Sequence, residues 1–572
     1  MIKKMYIHHY RKLRDIEINF SREVNIISGV NGACKSSILY LVCNAFQDIT
    51  KKSSPSFTII SKSNEKWNPK IENLTKGDKQ YNDPAIGTEG SLLEIEYYGQ
   101  DTSLPFRRHN GKGILEKDRY RLIPTYPRGS GMSLPMKPRI YLGTSRLSTF
   151  SEFNSSPHLF EYIDELENKL TDEGSIKLLH KIKEEISNSK ITKQKLPERY
   201  LLKLQEIYKS VTRHFIEISD FTNISMPYIK KRVDFKTQKE GIDSNTISSG
   251  EDNLMIILYA LVSLSYYYET TSLEDKSSIL LIDELDATLH PNVQRKILNI
   301  FREYSQRYQI QIIATTHSLS LLESAYKKKD NIIYLREIGG EKIALLTQEQ
   351  ANPSIIASQL LAQDRSEIYR NKYIACFVED EEAKCLLDLV FQYYLINKEA
   401  YTSFAKFKRF FLPIVAKLGC GQLRDMTTKM SSWAVFAILD QDEKKDLSNR
   451  IITLPGSKMS PEKMIHRYYA EELRLNSESN FWKEMLDVSI EKLDDVFSEL
   501  ENLLAQCQEN DKKKIRDVYK QHFQDNKDIY EILFRSWMHE HPDEMRSFYN
   551  DLSIMFNKVA DNAGIYDRME QV

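Results

Sequence analysis

The sequence has few cysteines, no long apolar run and no excess of either charge. Its six cysteines are scattered without the paired spacing of a zinc site or a disulfide framework, which favours a reducing, cytoplasmic location. The longest apolar stretch, residues 254–268, is shorter than the roughly 20 residues that span a bilayer and indicates a buried helix. Residues 1–13 lack the apolar segment of a secretory signal. We therefore expect no membrane association.

The charge balance excludes a strong field around the whole molecule. Eighty basic residues stand against 81 acidic ones, so any nucleic-acid binding must come from local patches. With 41% hydrophobic and 28% charged residues, the composition is that of a globular protein. A chain of 572 residues is too long for one core, and about three or four domains are expected.

A glycine-rich segment, GVNGACKSS at 29–37, predicts a phosphate-binding loop. Phosphate needs several backbone N–H donors in a small space, and a loop of small residues leading into a helix provides them. Lys35 would reach the β- and γ-phosphates, and Ser36 would bind Mg²⁺. Cys34 stands where glycine is usual, and its Cβ would oppose a positive φ at a cost of about 1 kcal/mol. The predicted nucleotide-binding residues of this loop are Gly29, Asn31, Gly32, Lys35, Ser36 and Ser37.

Two further motifs follow buried apolar strands. ILLIDE ends at 284 in two acids, of which Asp283 would hold Mg²⁺ through water and Glu284 would polarise the attacking water. QIIATTH ends at His317, where the imidazole can sense the γ-phosphate. The strand ends thus predict the hydrolytic half of an ATPase site.

The segment TISSGED at 246–252 opens the long apolar helix. Ser248 and Gly250 would place the N-terminus of that helix against the γ-phosphate held by a second copy of the chain. In this order the four motifs resemble the ABC-type ATPases of the repair and structural-maintenance class. The segment YLGTSRLSTF at 141–150 is also similar to them, with Arg146 as an expected phosphate or interface contact. The resemblance implies ATP with Mg²⁺ and a homodimer joined through the ATPase heads.

Three further segments belong to the predicted ATPase region. Residues 1–28 alternate in the manner of two strands. Residues 50–90, rich in polar residues, proline and glycine, indicate a surface insertion, and helical periodicity over 159–215 indicates a short helical arm.

A second set of acids follows the ATPase motifs. KYIACFVED at 372–380 and WAVFAILDQD at 433–442 are each a buried strand ending in carboxylates. Carboxyl ends of parallel strands meet at one edge of a sheet, and clustered carboxylates there bind hard cations. Two cations about 3.5–4 Å apart could activate water and stabilise the leaving oxygen of a phosphodiester. The structural alternative is that Asp442 caps a helix and the acids at 379–382 form a solvated face.

This second region resembles the TOPRIM domain shared by topoisomerases, primases and related nucleases. The metal ligands expected from the strand ends and from the resemblance are Glu379, Glu382, Asp440 and Asp442, with Mg²⁺ or Mn²⁺ bound. Lys458, in a loop before a helix, could neutralise a phosphate in the transition state. Two features depart from the family, since Asp380 replaces the usual glycine and the further acid, Glu382 or Glu381, is slightly out of register. FAKFKRFF at 404–411 alternates aromatic and basic residues, which predicts either a phosphate-binding groove or an ordinary edge strand.

Together these features predict an α/β chain: an ABC-type ATPase head with a helical arm insertion, then a TOPRIM α/β domain and a helical C-terminal region. The predicted parts are the first ATPase part at 1–154, the arm or dimerisation insertion at 155–218, the second ATPase part at 219–360, the TOPRIM domain at 370–472 and the helical region at 473–572.

The order of ATPase and TOPRIM is similar to the family named for overcoming lysogenization defect (OLD). The resemblance covers residues 1–350 and 370–470. It implies ATP-regulated, metal-dependent DNA cleavage by a homodimer, and several members of the family act in bacterial anti-phage systems. NGACKSS at 31–37 resembles the branch of retron-associated effectors, which work beside a reverse transcriptase and its RNA–DNA product.

Two other functions stay open at this point. One is a nucleotide-switched scaffold that binds DNA or a partner while its TOPRIM fold is chemically idle, which the replaced glycine at 380 favours. The other is a repair ATPase similar to RecF-like proteins, which is weakened because those proteins lack the second set of carboxylates.

Overall fold

The chain forms two compact units, Met1–Asp364 and Arg365–Val572. A computed structural model describes residues 1–47, 49, 89–100, 102–110, 120–126, 133–148, 157–187, 192–193, 196–212, 214, 216–218, 222–226, 230–233, 235–237, 247–339, 342–348, 350–456, 458–486, 488–508 and 511–572. The predicted surface insertion at 50–90 lies outside the described residues except for its last two positions.

The first unit contains sixteen of the described strands. They are β1 (Ile2–Tyr10), β2 (Leu13–Asn19), β3 (Val24–Gly29), β4 (Leu93–Tyr97), β5 (Leu104–Asn110), β6 (Tyr120–Pro124), β7 (Arg139–Leu142), β8 (Thr192–Lys193), β9 (Ile216–Glu217), β10 (Thr222–Met226), β11 (Lys230–Val233), β12 (Lys236–Thr237), β13 (Ser278–Ile282), β14 (Ile310–Thr316), β15 (Asn331–Ile338) and β16 (Lys342–Leu345). The prediction of two strands over residues 1–28 is wrong by one, because β1, β2 and β3 are separate strands.

Two large sheets organise this unit. One is antiparallel in the order β2-β1-β4-β5-β6, and the other has the order β16-β15-β3-β14-β13-β7. In the second sheet every described neighbour pair is parallel except β15 with β16. Its central strands are buried along their whole length, as expected of a parallel sheet covered on both faces. The carboxyl ends of β3, β13 and β14 therefore lie together.

Eight α-helices lie in the described part of the first unit. They are α1 (Lys35–Asn44), α2 (Pro157–Lys169), α3 (Glu173–Ser187), α4 (Glu198–Thr212), α5 (Ser249–Thr270), α6 (Pro291–Tyr308), α7 (Leu319–Lys327) and α8 (Pro353–Leu361). Helix α1 shares one core with the antiparallel sheet, through Ile38 and Leu41. Helices α4 to α7 share the other core, in which nearly all of α5 is buried.

The helical arm is shorter than the sequence predicts. Leu204, Tyr208 and Val211 of α4 are buried in the core that contains α5, so this helix belongs to the ATPase unit. The remaining part is the hairpin of α2 and α3, joined by ion pairs such as the one between Lys183 and Asp164. The periodicity correctly indicated helices, but it could not tell an apolar stripe that faces the core from one that faces another helix.

The second unit combines a small parallel sheet with a helical layer. Its strands are β17 (Ile374–Val378), β18 (Phe411–Val415), β19 (Val435–Leu439) and β20 (Ile451–Thr453), in the order β18-β17-β19-β20 with parallel neighbours. Its helices are α9 (Arg365–Ile368), α10 (Glu381–Ile396), α11 (Phe404–Phe407), α12 (Cys420–Lys429), α13 (Pro461–Arg467), α14 (Asn480–Glu484), α15 (Ile490–Ala505), α16 (Lys512–Asp525), α17 (Lys527–Glu540) and α18 (Pro542–Val559).

The helices after residue 473 share one core with the sheet of this unit. Val378 of β17 and Phe436 of β19 belong to the same buried cluster as Leu552 and Phe556 of α18. On the opposite face, Leu423 of α12 packs with β19 and β20. The C-terminal helices therefore form one layer of the second unit.

Residues 404–411 do not form the predicted edge strand. They fold as α11 and a short 3₁₀ turn, and the strand begins only at Phe411. Their four phenylalanines are buried, with Phe404 and Phe407 at most 1% exposed, so they are not available to stack on bases. Phe404, Phe407 and Phe410 are three residues apart, a spacing that brings them to one side of a helical turn.

Within the part of the chain that the structure describes, no helix combines the length and the apolar character needed to cross a bilayer.

Candidate functional site

The glycine-rich loop joins the end of β3 to the start of α1. Gly29 has φ of 155°, and a Cβ there would lie 2.4 Å from the carbonyl oxygen of Leu335, so only glycine fits. Cys34 adopts the left-handed region with φ of 64°, the conformation that its Cβ was expected to oppose. Lys35 turns its ammonium back to the loop, where it donates to the carbonyl oxygens of Gly29 at 2.9 Å and Val30 at 3.0 Å.

The other predicted residues of the loop surround this lysine. Asn31 and Gly32 are exposed, and a Cβ on Gly32 would meet no atom within 4 Å among the described residues. Ser37 is buried and accepts a hydrogen bond from Arg11 at 3.0 Å. The loop therefore offers open space on the side where a phosphate would lie.

Ser36 and Asp283, the two predicted Mg²⁺ ligands, are in direct contact. The hydroxyl of Ser36 donates to Oδ1 of Asp283 at 3.1 Å, and Thr315 donates to the same oxygen at 2.6 Å. The hydroxyl of Thr315 also accepts the backbone N–H of Glu284 at 2.7 Å. Glu284 is exposed, with φ of 49°. A single threonine on β14 thus fixes the two acids that follow β13.

His317 lies close enough to Lys35 and the acids after β13 for their charges to shift its pKa. Burial lowers the pKa of His317, and the positive charge of Lys35 lowers it further. Burial also lowers the pKa of Lys35, against the opposing effect of Asp283 and Glu284. The backbone N–H of His317 donates to Asp286 at 3.2 Å, so the loop after β13 positions the histidine.

Ser248 and Gly250 lie at the start of α5. The hydroxyl of Ser248 accepts the N–H of Glu251 at 3.3 Å, and Glu251 accepts the N–H of Ser248 at 3.3 Å, which is a capping box. A Cβ on Gly250 would lie 2.5 Å from the carbonyl oxygen of Thr288. The helix N-terminus therefore packs tightly against the loop that follows β13.

The prediction that Arg146 contacts phosphate or a partner chain is wrong. The side chain is only 2% exposed, and burial lowers its pKa to about 10. Its guanidinium donates to the backbone oxygens of Asp283 at 2.7 Å and Glu284 at 2.8 Å, and to the side chain of Asn253 at 2.8 Å. Arg146 thus links the acidic strand end to α5 inside the chain.

In the second unit, Glu379 and Asp440 follow the neighbouring strands β17 and β19. Strands β17 and β19 are parallel neighbours, so the two residues that follow them lie at the same edge of the sheet. Asp440 is 9% exposed, and its Oδ1 has no hydrogen-bond partner among the residues that the structure describes. Burial raises the pKa of Asp440 to about 8, and the charges of Asp380, Glu379 and Glu462 contribute to the rise. Burial likewise raises the pKa of Glu379.

The other residues predicted for this metal site, Asp442, Lys458 and Glu382, have different surroundings from Glu379 and Asp440. Asp442 and Lys458 are exposed, Lys458 in the loop before α13. Glu382 is buried and accepts a hydrogen bond from Gln524 at 3.0 Å, with Lys520 at 3.8 Å from its other oxygen. As the side chains stand, no three His, Cys, Asp or Glu residues within the described ranges are gathered as a metal-binding group.

Asp380, and three residues that the sequence did not single out, Lys520, Arg516 and Glu462, also belong to this acidic region. Asp380 caps α10 by accepting the N–H of Ala383 at 3.0 Å, and it forms an ion pair with Lys520. Arg516 lies 3.8 Å from the same carboxylate. Glu462 at the start of α13 is 4% exposed, and burial raises its pKa. The signal in the sequence was the spacing of Arg516 and Lys520, one helical turn apart, but nothing local links them to Asp380.

Comparison with known proteins gives matches in the first unit. The family described as "AAA domain" matches residues 4–207. The family described as "AAA domain, putative AbiEii toxin, Type IV TA system" matches residues 247–323. The two matches contain the phosphate-binding loop, the acidic strand end and His317.

Two curated relatives are similar over very different lengths. The DNA replication and repair protein RecF of Clostridium acetobutylicum is 23% identical over 372 residues, covering 58% of this chain and 96% of that protein. The Septu protein PtuA of Bacillus thuringiensis is 32% identical over 83 residues, covering 14% of this chain and 20% of that protein. The chain therefore spans about a fifth of the length of PtuA.

Solved structures of SMC heads also match at low scores. The SMC head domain of Thermotoga maritima is 16% identical, covers 60% of this chain and 98% of its own, and has a TM-score of 0.30. The Smc head of Pyrococcus furiosus bound to the C-terminal domain of ScpA is 15% identical, covers 61% and 97%, and has a TM-score of 0.32. These scores carry no inference about the fold, which rests on the strand order above. The strand order, the AAA matches and the similarity to RecF together support an ATP-binding, ABC-type ATPase head in the first unit.

Proposed function

We propose that this chain is an ATP-regulated, divalent-metal-dependent DNA endonuclease or nickase, in which nucleotide binding in the first unit controls cleavage in the second. One observation carries the proposal: Asp440 presents a buried carboxylate oxygen without a hydrogen-bond partner among the described residues. It stands beside Glu379, Asp380 and Glu462 at the carboxyl edge of a parallel sheet. A carboxylate in such surroundings needs either a proton or a cation.

The donor set fits a hard divalent cation. The available ligands are carboxylate oxygens, which Mg²⁺ and Mn²⁺ prefer. The residues that would hold the cation are Glu379, Glu382, Asp440 and Asp442, with Asp380 as a further candidate. A divalent ion bound there supplies Lewis-acid activation of water and stabilises the leaving oxygen of a phosphodiester.

The residues around this edge have separate roles in the proposal. Glu379 and Asp440 would bind the cation from the ends of neighbouring parallel strands. Glu382 is engaged by Gln524, so it would have to exchange that hydrogen bond to act as a ligand. Lys458 lies exposed in the loop before α13 and would approach the phosphate from solvent. These roles require that substrate approach the carboxyl edge of the sheet.

In the ATPase head, each predicted residue receives a role that agrees with its contacts. The loop residues Gly29, Asn31 and Gly32 would surround the phosphates, with Lys35 leaving its carbonyl partners to bind them.

The residues at the strand ends would carry out hydrolysis. Ser36 and Asp283 would share Mg²⁺, Glu284 would orient the attacking water and His317 would contact the γ-phosphate. Ser248 and Gly250 would close on the nucleotide of a second copy, and Ser37 supports the loop through Arg11.

A second candidate function is a nucleotide-switched scaffold that binds DNA while its second unit is chemically idle. The RecF relative favours it, because the similarity spans 96% of that protein but only 58% of this chain. The ion pair of Lys520 with Asp380 also favours it, since an internal cation already neutralises one carboxylate. An anti-phage role is supported by the OLD resemblance and by the similarity to the Septu protein PtuA. A reverse-transcriptase partner with its RNA–DNA product rests on the resemblance of NGACKSS alone.

A plasmid assay separates the two candidates. Purified protein is incubated with supercoiled DNA, Mg²⁺ or Mn²⁺, and either no nucleotide, ATP or a non-hydrolysable analogue. We expect nicking or linearisation that depends on the metal and on the nucleotide state and that is lost in Asp440→Asn. The matched control is Asp425→Asn, because that aspartate is exposed in the same unit and pairs with Lys429 one turn away. Equal cleavage by Asp440→Asn would refute the assignment, and intact DNA binding without any cleavage would favour the scaffold.

A further inference from the structure

Helix α16 brings positive charge to the acidic edge of the second unit. Lys520 forms an ion pair with Asp380 and lies 3.8 Å from Glu382, and Arg516 lies 3.8 Å from Asp380. Gln524 donates to Glu382 at 3.0 Å. Three residues at helical spacing on α16 therefore contact the acids that open α10.

The basic face of α16 extends beyond these contacts to solvent. At about 100° per residue, Lys513, Arg516, Lys520 and Gln524 fall within roughly 80° of one another around the helix axis. Lys513 and Arg516 are exposed, and Lys520 is partly buried. We call the surface formed by Lys513, Arg516 and Lys520 the α16 basic face. It runs from the exposed start of the helix to the carboxylates.

These cations can offset the repulsion between a DNA backbone and the carboxylates of the proposed cleavage site. A nucleic-acid backbone is repelled by clustered carboxylates, and the balanced net charge of −1 gives no long-range attraction. Binding must therefore come from cations placed locally beside the acids. The α16 basic face is such a set of cations.

The ion pairs of this face can exchange their partners. The side chains of Arg516 and Lys520 are 58% and 25% exposed, so solvent and ligands reach them. An exposed ion pair such as that of Arg516 contributes little to stability, so a phosphate can replace the carboxylate there at little cost. A cation bound by the acids would also compete with Lys520 for Asp380 and release its ammonium.

We propose that the α16 basic face binds the sugar–phosphate backbone of DNA, and that Lys520 contacts the phosphate nearest the carboxylates. The inference rests on the proposed nuclease function and adds to it the surface that positions the substrate. Lys513 and Arg516 provide affinity along the backbone, while Lys520 acts at the site of cleavage.

Adjacent lysines on α16 offer a matched test of binding. A short fluorescein-labelled DNA duplex is titrated in EDTA, so that binding is measured without cleavage. We expect Lys513→Glu to weaken binding several-fold and to reduce the slope of log affinity against log salt by about one. Lys514→Glu carries the same charge change but points about 100° away, and it should bind nearly as well as wild type. Equal effects of the two substitutions would overturn the assignment of this face.

Lys520 needs a test that separates phosphate binding from a structural ion pair. Lys520→Gln should lower the rate of plasmid cleavage, and Lys520→Arg should restore most of it, because the positive charge is retained. Mn²⁺ binding by calorimetry should be equal to or tighter than wild type in Lys520→Gln, since a competing cation is removed. Cleavage by Lys520→Gln at the wild-type rate, or weaker Mn²⁺ binding in this variant, would refute the role of Lys520.

The result for wild type distinguishes the inference from the function on which it rests. If wild type cleaves DNA and the variants of the α16 basic face bind and cleave equally well, only the inference fails. If wild type shows no metal-dependent cleavage under any nucleotide condition, the proposed function fails, and the role of Lys520 in cleavage fails with it.

Discussion

The hydroxyl of Ser36 lies 3.1 Å from Oδ1 of Asp283, although the two residues are 247 positions apart in the chain. The contact joins the first turn of α1 to the carboxyl end of β13, and Thr315 secures the same carboxylate from β14. The oxygens proposed to share Mg²⁺ are therefore assembled by the parallel sheet before any nucleotide binds. Such pre-organisation reduces the entropy lost on binding.

Replacing Lys35 should weaken ATP binding strongly. The ammonium is already held at the loop by two carbonyl oxygens, from which it can turn to the β- and γ-phosphates. Charge-assisted hydrogen bonds of this kind contribute about 1.5–3 kcal/mol, so Lys35→Ala should bind Mg-ATP roughly 10- to 100-fold more weakly by calorimetry. Lys12→Ala is the control, because that lysine pairs with Glu337 at the surface. Unchanged affinity in Lys35→Ala would place the nucleotide elsewhere.

Replacing Cys34 with glycine should relieve backbone strain. Cys34 has φ of 64°, a region that a residue with a Cβ adopts only at a cost. Cys34→Gly should therefore raise the stability of the ATPase unit by up to about 1 kcal/mol, seen as a higher thermal midpoint. Cys34→Ala keeps the Cβ and should leave the midpoint unchanged. A gain of equal size in the alanine variant would point to the thiol instead of the backbone.

Gly250 should be necessary for ATP hydrolysis but not for ATP binding. A Cβ at this position would lie 2.5 Å from the carbonyl oxygen of Thr288, so Gly250→Ala must displace the first turn of α5 or the loop after β13. We expect the rate of phosphate release to fall roughly tenfold or more, which corresponds to about 1.4 kcal/mol at the transition state.

The matched control for this prediction is Gly339→Ala. A Cβ on Gly339 meets no atom within 4 Å in the described part of the chain. Hydrolysis at the wild-type rate in Gly250→Ala, or an equal loss in the control, would show that the contact with Thr288 does not matter.

The raised pKa of Asp440 predicts a pH dependence of stability. Burial and the neighbouring acids raise the pKa of this carboxyl from 3.8 to about 8, so the folded state retains a proton that the unfolded state loses. Between these two values the contribution of Asp440 to stability falls as pH rises. In EDTA, the thermal midpoint of wild type should decrease over this range more steeply than that of Asp440→Asn. Parallel curves for the two proteins would contradict the shifted pKa.

The same carboxyl should couple cation binding to proton release. A divalent ion bound by Asp440 displaces its proton, so Mn²⁺ affinity should rise with pH up to about 8 and then level off. Calorimetry in buffers of different ionisation enthalpy counts the protons released. Asp425→Asn should behave as wild type, and Asp440→Asn should release fewer protons or bind no Mn²⁺.

The sequence was sufficient to predict the parts of the structure whose chemistry is local. Gly29, Lys35 and Ser36 form a contiguous motif, and an apolar strand that ends in Asp283 is distinctive because a buried parallel strand has few polar positions. The placement of Glu379 and Asp440 at one sheet edge followed from the same reasoning. Their roles stay predictions until nucleotide and metal binding are measured.

The parts that could not be predicted depend on contacts between distant segments. Lys520 meets Asp380 across 140 positions, and no local pattern specifies that pairing. The resemblance of residues 141–150 to ABC-type ATPases predicts a phosphate or interface contact for Arg146, whereas backbone oxygens of Asp283 and Glu284 accept its hydrogen bonds inside the chain. Residues 404–411 were misread because an alternation of aromatic and basic residues also fits a helical turn.

Strands β17 and β19 are neighbours although the chain visits β18 between them. The connections after these two strands therefore depart to opposite sides, and they leave a crevice at the reversal point of the strand order. The segments that border such a crevice carry no hydrogen bonds of the ladder, so they can diverge while the sheet stays intact. Substitutions in the connections after β17 and β19 can therefore change which ligand binds in the crevice without disturbing the sheet.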